Sequence, residues 1–258
     1  MKRYKNTYHI DVLKSFLEIP LGSADGVFKR FLEIPGALHR SDPGDSLKRF
    51  LYIRGHRDNK VLLVAHADTY WDQKYGFKPG RTNPISIEDG YIRGGNDEFG
   101  LGADDRAGCA ILWLLKDLGH SLLITNGEEH GQKGAHWLMD DEHNRAIADE
   151  INRDHQFVIE FDRCNGRDFK CYEVGTEEFR SYVAKKTGYT EPDRKSCTDI
   201  TILCRQIAGV NLSVGYYDEH KHNESLNIAE WKNTLHLVEE WLSEPNLNKF
   251  ALPPREQV

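Results

Sequence analysis

The sequence predicts an α/β protein: a three-layer sandwich with a central, mostly parallel mixed sheet, helices on both faces and no lid domain. Three observations predict it. Strand-like runs alternate with helical patterns along the chain, which suits a sheet covered on both faces. Two of the strand-like runs are apolar throughout, as strands buried on both faces must be. And 258 residues are enough to bury a sizeable core. We expect residues 1–258 to form a single domain.

The elements follow in order. "YHIDVLKSFLEI" and "GVFKRFLEI" carry helical patterning at the start of the chain. "SDPGDS" near Ser41 reads as a loop within the domain. "RFLYIRG" and "VLLVAHAD" read as strands separated by the turn "HRDN". "ISIEDGYIRGG" reads as a hairpin, with Asp89 and Gly90 as its turn. "DDRAGCAILWLLKDL" has apolar residues at helical spacing. "SLLITNG" is a strand and "GQKGAHWLMDDEHN" a helix, followed by the strand "HQFVIEFDR". "TEEFRSYVAKKTG" is a helix that Gly188 ends. "GVNLSVGYY" is the last strand, and "NIAEWKNTLHLVEEWLSE" an amphipathic closing helix. There is no internal repeat and no low-complexity segment.

Composition narrows the function classes. The formal charge is -7 and spread along the chain. No basic stretch is present to hold a nucleic acid or a membrane surface, so neither partner is expected. Residues 1–16 lack an apolar core of signal-peptide length. No apolar run reaches the ~18 residues of a membrane span. The five cysteines are odd in number and do not suggest a disulfide framework. Cys164/Cys171 and Cys197/Cys204 are too widely spaced for a zinc-knuckle CxxC. All five read as thiols of a reducing, cytoplasmic compartment.

Chemistry concentrates where strands end. Glu128 and Glu129 follow the strand "SLLITNG", at the edge where open α/β sheets bind ligands. "VLLVAHAD" ends in His66 and Asp68, and "HQFVIEFDR" in Asp162. Asp104 and Asp105 open a helix, and His220 lies just past a strand. Each piece alone has a plain reading: a strand-end Asp is usually a turn or a cap, and a Glu-Glu pair a solvated turn. Together they supply two histidines and several carboxylates, an inventory for two neighbouring divalent metals.

The ordered set resembles the co-catalytic dizinc exopeptidases: leucyl aminopeptidase, peptidase T and the tetrahedral aminopeptidases. The motifs are "HAD" (residues 66–68), "GADDRAG" (102–108), "NGEEHG" (126–131), "EFDR" (160–163) and "HKHNE" (220–224). "CTD" (197–199) looks like a Gly-Thr-Asp segment of some members. The resemblance covers residues 61 to 258.

The resemblance implies roles. Asp104 would bridge two metals, with His66 and Asp162 completing one site, and Glu129 and His220 the other. Glu128 would be the general base, and Asp68 would accept a hydrogen bond from the His66 ring and fix its tautomer. Two cations can share a water and lower its pKa, and a neighbouring carboxylate can take its proton and pass it to a leaving amine. Adjacent strand-end residues point to opposite sides, so the two glutamates can reach different partners. Some points stay open. His222 competes with His220. Asp105 competes with Asp104, although the family uses the first aspartate, often followed by a cis peptide. Asp105 could instead cap its helix. Tyr216 and Tyr217 are candidate oxyanion donors, with strand packing as their plain role.

The lid or inserted domains of many relatives have no room between Asp68 and Asp104, and residues 162–220 hold a helix and a strand and little more. A bare catalytic domain is expected, with residues 164–198 as an irregular pocket wall. "GGNDEFGLG" lacks the Lys-Ser/Thr of a phosphate loop and reads as a loop approaching the metals. Trp113, Trp137, Trp231 and Trp241 read as core, and His130, His136, His143 and His155 as surface or packing. "EEHGQKGAH" is not HExxH, which excludes the single-zinc peptidase pattern.

The leading expectation is an aminopeptidase acting on short peptides, with Zn, Mn or Co as metal. A dipeptidase, carboxypeptidase or N-acyl amino-acid deacylase could use the same centre, with Arg163 available for a substrate carboxylate. A metal-binding pseudoenzyme would show a lost ligand or base, and none is lost.

Overall fold

The computed structural model describes residues 2–95, 99–193 and 197–254. Its core is a seven-stranded sheet in the order β1-β2-β6-β3-β7-β9-β8. The strands are β1 (Leu38–Ser41), β2 (Arg49–Ile53), β3 (Leu62–His66), β6 (Ser121–Thr125), β7 (Val158–Arg163), β8 (Phe169–Lys170) and β9 (Gly209–Ser213). β6, β3, β7 and β9 are parallel, and β1, β2 and β8 add antiparallel edges. The carboxyl ends of four adjacent strands therefore share one edge.

Alternation along the strands builds two core layers. Leu63, Ala65, Ile124, Ile159 and Phe161 face one layer, with α1 (Lys2–Leu17), α2 (Asp25–Phe31), α4 (Ala103–Leu115), α7 (Glu177–Thr187) and α9 (Ile228–Leu242). Leu62, Val64, Leu123 and Val158 face the other, with α5 (Lys133–Asp140), α6 (Arg145–Asp154) and α8 (Ile200–Leu203). The mostly parallel, helix-covered sheet is the predicted one. Trp231 and Trp241 are buried, and Trp113 and Trp137 pack partly buried against the two layers.

Turn chemistry sets the element ends. Asp89 (φ 50°) and Gly90 (φ 81°) form the expected hairpin turn between β4 (Ile85–Glu88) and β5 (Tyr91–Gly94). Thr176 caps α7 through the Phe179 N–H, and Gly188 ends it at φ 68°. Gly108 allows a close approach: a Cβ there would lie 2.4 Å from both the Phe161 carbonyl and the Asp105 carboxylate.

Two expectations need correction. The run "GVNLSVGYY" is not one strand. It breaks at Gly215 (φ 87°), and Tyr216–Tyr217 becomes β10 in a second, four-stranded sheet, β10-β11-β5-β4, where β11 is Ser225–Asn227. The helix read over "GQKGAHWLMDDEHN" stops at Asp140, and a separate α6 follows. A short α3 (Tyr70–Lys74) follows Asp68. Residues 96–98 of "GGNDEFGLG" and 194–196 of the expected pocket wall lie outside the described residues.

Two histidines are built into the core as neutral rings. His120 Nδ1 accepts from the Val61 N–H (3.0 Å), so its Nε2 carries the proton and donates to the Leu242 carbonyl (3.0 Å). A second proton would set N–H against N–H. His155 bonds the Ile151 carbonyl and the Ser121 hydroxyl. Burial lowers each imidazole from 6.5 to about 4. Unfolded histidines protonate near their ordinary value, so this contribution to stability is full above about 6.5 and is lost as pH falls toward about 4. In an NMR titration both rings are expected to stay neutral until about pH 4. Midpoints near the ordinary value would refute this.

Candidate metal centre

The shared strand edge gathers the predicted residues. His66 ends β3, Asp162 lies in β7, the turn after β6 carries Glu128 and Glu129, Asp104 sits at the start of α4, and His220 follows β10. Asp104 is the pivot. Its Oδ1 lies 3.1 Å from His66 Nε2 and its Oδ2 lies 3.2 Å from His220 Nε2. Asp162 Oδ1 stands 3.4 Å from the same His66 nitrogen, and Glu129 Oε1 stands 2.9 Å from the His220 nitrogen. Two triads result, His66/Asp104/Asp162 and Asp104/Glu129/His220, each with ligand-type atoms within 4.8 Å of one another. Glu128 belongs to neither, although it lines the same cavity.

Each side chain has an identifiable anchor. The His66 N–H donates to Asp105 Oδ2 (3.1 Å), and the Gly108 N–H donates to Asp105 Oδ1 (2.9 Å). Asp105 thus caps its helix and ties it to β3, while Asp104 faces the cavity. The peptide between these two aspartates is cis. Asp162 is held at its backbone by Asn211, through bonds of 2.9 and 2.6 Å. Its carboxylate accepts from Thr198 (2.8 Å) and from Tyr216 (3.1 Å). His220, more exposed than the other members, stacks on Tyr70 with ring centroids 4.6 Å apart at 16°.

Asp68 has a different arrangement from the expected one. The nearest oxygen to His66 Nδ1 is the Asp68 carbonyl (3.0 Å), and the carboxylate lies at 3.5 Å. That carboxylate mainly accepts from the N–H groups of Gly127 (2.8 Å), Glu128 (3.3 Å) and Glu129 (3.3 Å). It fixes the turn that carries the paired glutamates, because Gly127 (φ 77°) opens a turn whose N–H groups point back at it.

His222 packs against Trp71, with ring centroids 5.4 Å apart, and belongs to neither triad. Tyr217 donates to Glu230 (2.6 Å) and does not line the cavity, which removes it as an oxyanion donor there. Tyr216 does line it. Arg163 also lines it but is buried and bonded to both carboxylate oxygens of Asp168 (3.1 and 3.3 Å). Of the remaining histidines, His155 is buried, His136 and His143 are exposed, and His130 packs against Phe77. The cavity, about 220 Å³, is further lined by Cys164, Tyr172, Cys197, Thr198 and Glu219. These include four residues of the expected pocket wall, residues 164–198.

The electrostatics match a cation site. Burial alone would lower the His66 imidazole, but Asp162, Asp104 and Asp68 raise it well above its ordinary value. His220 is likewise pushed up to about 11 by Asp104 and Glu129 against its burial. Burial and the Asp104 charge raise Glu129 to about 7. Burial, then Asp162, raise Glu128 well above the usual carboxylate range. Acidic groups converge here with imidazoles as their counter-charges. A mixed set of imidazole and carboxylate donors around one shared carboxylate fits a pair of divalent ions.

Sequence reasoning missed several contributors. Glu224 is buried and bonds the backbone of the Asp104 turn. Its only sequence signal is its place four residues after His220. Tyr70 and Asn211 carry no signal, since their partners come from distant segments.

No protein-family model matches the chain, and no curated protein matches it. Solved structures do share its fold. Aminopeptidase PepT from Bacillus cereus has 16% identity and a TM-score of 0.63, covering 93% of this chain and 98% of that chain. The TET1 peptidase of Pyrococcus horikoshii, which can assemble into a tetrahedron or a large octahedral shell, has 15% identity and a TM-score of 0.63, covering 92% and 99%. A Thermotoga maritima chain described as an endoglucanase has 12% identity and a TM-score of 0.52, covering 89% and 96%. The fold is that of the exopeptidases the motifs resemble. Fold alone does not choose a chemistry; the site does.

Proposed function

We propose that this chain is a dimetal exopeptidase, most specifically an aminopeptidase that removes the N-terminal residue of short peptides. The observation that carries the reading is the division of labour around Asp104. Its two oxygens face one histidine each, and each histidine is closed by a different acid. Glu128 stands outside both triads in the same cavity. We read residues 1–258 as a single catalytic unit without a lid domain. His66, Asp104 and Asp162 would hold one ion, and Asp104, Glu129 and His220 the other, with zinc the first choice and manganese or cobalt the alternatives. Such a pair, when bound, polarises a peptide carbonyl and lowers the pKa of water.

The chain's own groups then have defined tasks. Glu128, outside both triads in the cavity, would take a proton from water as its oxygen adds to the peptide carbonyl and return it to the amine as the C–N bond breaks. Asp68 keeps both glutamates in register by holding their N–H groups. Tyr216 keeps Asp162 oriented, and serving as an oxyanion donor would require its hydroxyl to leave that carboxylate. The five cysteines are not in disulfides, which supports a cytoplasmic reading, and no helix among the described residues is long and apolar enough to cross a membrane.

Aminopeptidase is favoured over carboxypeptidase by charge. Among the described cavity residues Arg163 is the one arginine or lysine, and Asp168 already holds it. Glu219 lines the cavity instead, suited to an ammonium group. The test is a panel offered to the zinc-, manganese- and cobalt-reconstituted protein. Peptides with a free amine should be cleaved whether or not the carboxyl end is amidated, and N-acetylated ones should not. Cleavage that demands a free carboxylate, or prefers N-acyl amino acids, would replace this reading with the carboxypeptidase or deacylase one.

A further inference from the structure

We infer that Glu224 is a positioning residue that locks the shared aspartate and the exposed histidine into one centre. The inference rests on the dimetal reading above and concerns a residue outside both triads.

Glu224 is 1% exposed and stands at the entry to β11, four residues after His220. Its two oxygens are fully engaged. Oε1 accepts from the N–H groups of Ala103 (2.7 Å) and Asp104 (3.2 Å). Oε2 accepts from the Gly102 N–H (2.7 Å) and from the Trp71 indole (3.3 Å). Three successive N–H groups of the Asp104 turn therefore converge on a single carboxylate. Gly100 makes room for it, because a Cβ there would lie 2.7 Å from Oε2.

The contacts tie two ligand-bearing segments and one helix together. One is the turn that presents Asp104. The second is the loop that carries His220 and ends in Glu224 itself. The third is α3, which follows β3 and supplies both Trp71 to Glu224 and Tyr70 to the face of His220. His220 is otherwise exposed and sits at φ 64° in a surface loop. Its distance from Asp104 depends on that loop being fastened near the Asp104 turn, and Glu224 is the fastening.

The donor count makes this testable. Both oxygens face two N–H donors, so the isosteric amide cannot replace the carboxylate: in either orientation its NH₂ group meets donors. A residue needed only for packing would tolerate Glu224→Gln. A positioning residue would not, and the loss should fall mainly on the half-site containing His220. The experiment is a stepwise zinc titration against a competing chelator, with cobalt-substituted absorption spectra and the unfolding midpoint of the metal-free protein as parallel readouts. Wild type should bind two ions. Glu224→Gln should bind one as tightly, bind the other about 10–100-fold more weakly, the range for residues that orient metal ligands, and show an altered cobalt spectrum. Two wild-type affinities and an unchanged spectrum in Glu224→Gln would overturn the inference while leaving the dimetal reading intact. A wild-type protein that binds no ion would remove both. If Glu224→Gln does not fold, Trp71→Phe deletes one of the four donors and puts a smaller aromatic ring at the same buried position. A shifted cobalt spectrum there supports the inference, and wild-type spectrum and affinities refute it.

Discussion

Asp104→Ala is expected to empty both halves of the centre and to abolish turnover. The prediction follows from sharing. Asp104 supplies one oxygen toward His66 and the other toward His220, so its removal leaves each triad with two members. Asp105, its neighbour, is turned into the helix cap and the His66 N–H. His220→Ala, by contrast, should cost one ion, because the His66 triad keeps all its members. The activity loss in Asp104→Ala should exceed about 100-fold, the upper end for residues that merely support a ligand. Metal analysis of the purified variants beside wild type decides it. Two ions retained in Asp104→Ala would remove the bridging assignment, and equal losses in Asp104→Ala and His220→Ala would show that the halves bind only together.

How much of this was legible depends on whether a feature was local. The buried strands β3 and β6 announce themselves as continuous apolar runs, and α4 and α9 as helical spacing. The turn Asp89-Gly90 declares its hairpin. The site ligands were legible because each sits at the end of such an element, in a fixed order. The second sheet was not. β10 and β11 are two and three residues long, and β11 pairs with β5 across more than a hundred residues of chain, so nothing local marks it. That is why "GVNLSVGYY" read as one strand. α6 was hidden for a different reason: it follows the polar run 140–145 and has few apolar residues of its own, though Ile147 and Ile151 share a buried face.

The same limit explains the partners of the ligands. Asp68 follows His66 by two residues, which suggests a direct carboxylate–imidazole bond. The chain bends at Ala67, just after β3, and this puts the Asp68 carbonyl nearest the ring and leaves the carboxylate for the Glu128–Glu129 turn. Glu224 reaches the Asp104 turn from about 120 positions away. A single sequence can show which residue types stand at strand ends, but not which distant backbone N–H groups a buried carboxylate will answer.

The paired glutamates give the most discriminating expected result. Glu128→Gln preserves size and removes basicity. Glu128 lies outside both triads, so the variant should still bind two ions and substrate, while kcat falls by about 10²–10⁴, the range for a lost acid–base group. Glu129→Gln changes a member of the His220 triad, whose oxygen lies 2.9 Å from the ring. It should lose affinity for one ion, and excess metal should partly restore its activity. No excess of metal should restore Glu128→Gln. Metal stoichiometry and kcat are therefore measured for both variants at low and at saturating metal. A Glu128→Gln protein rescued by metal, beside a Glu129→Gln protein that is not, would exchange the two roles. If both turn over normally, the pair is only a turn held by Asp68, and the proton must travel by a group other than Glu128.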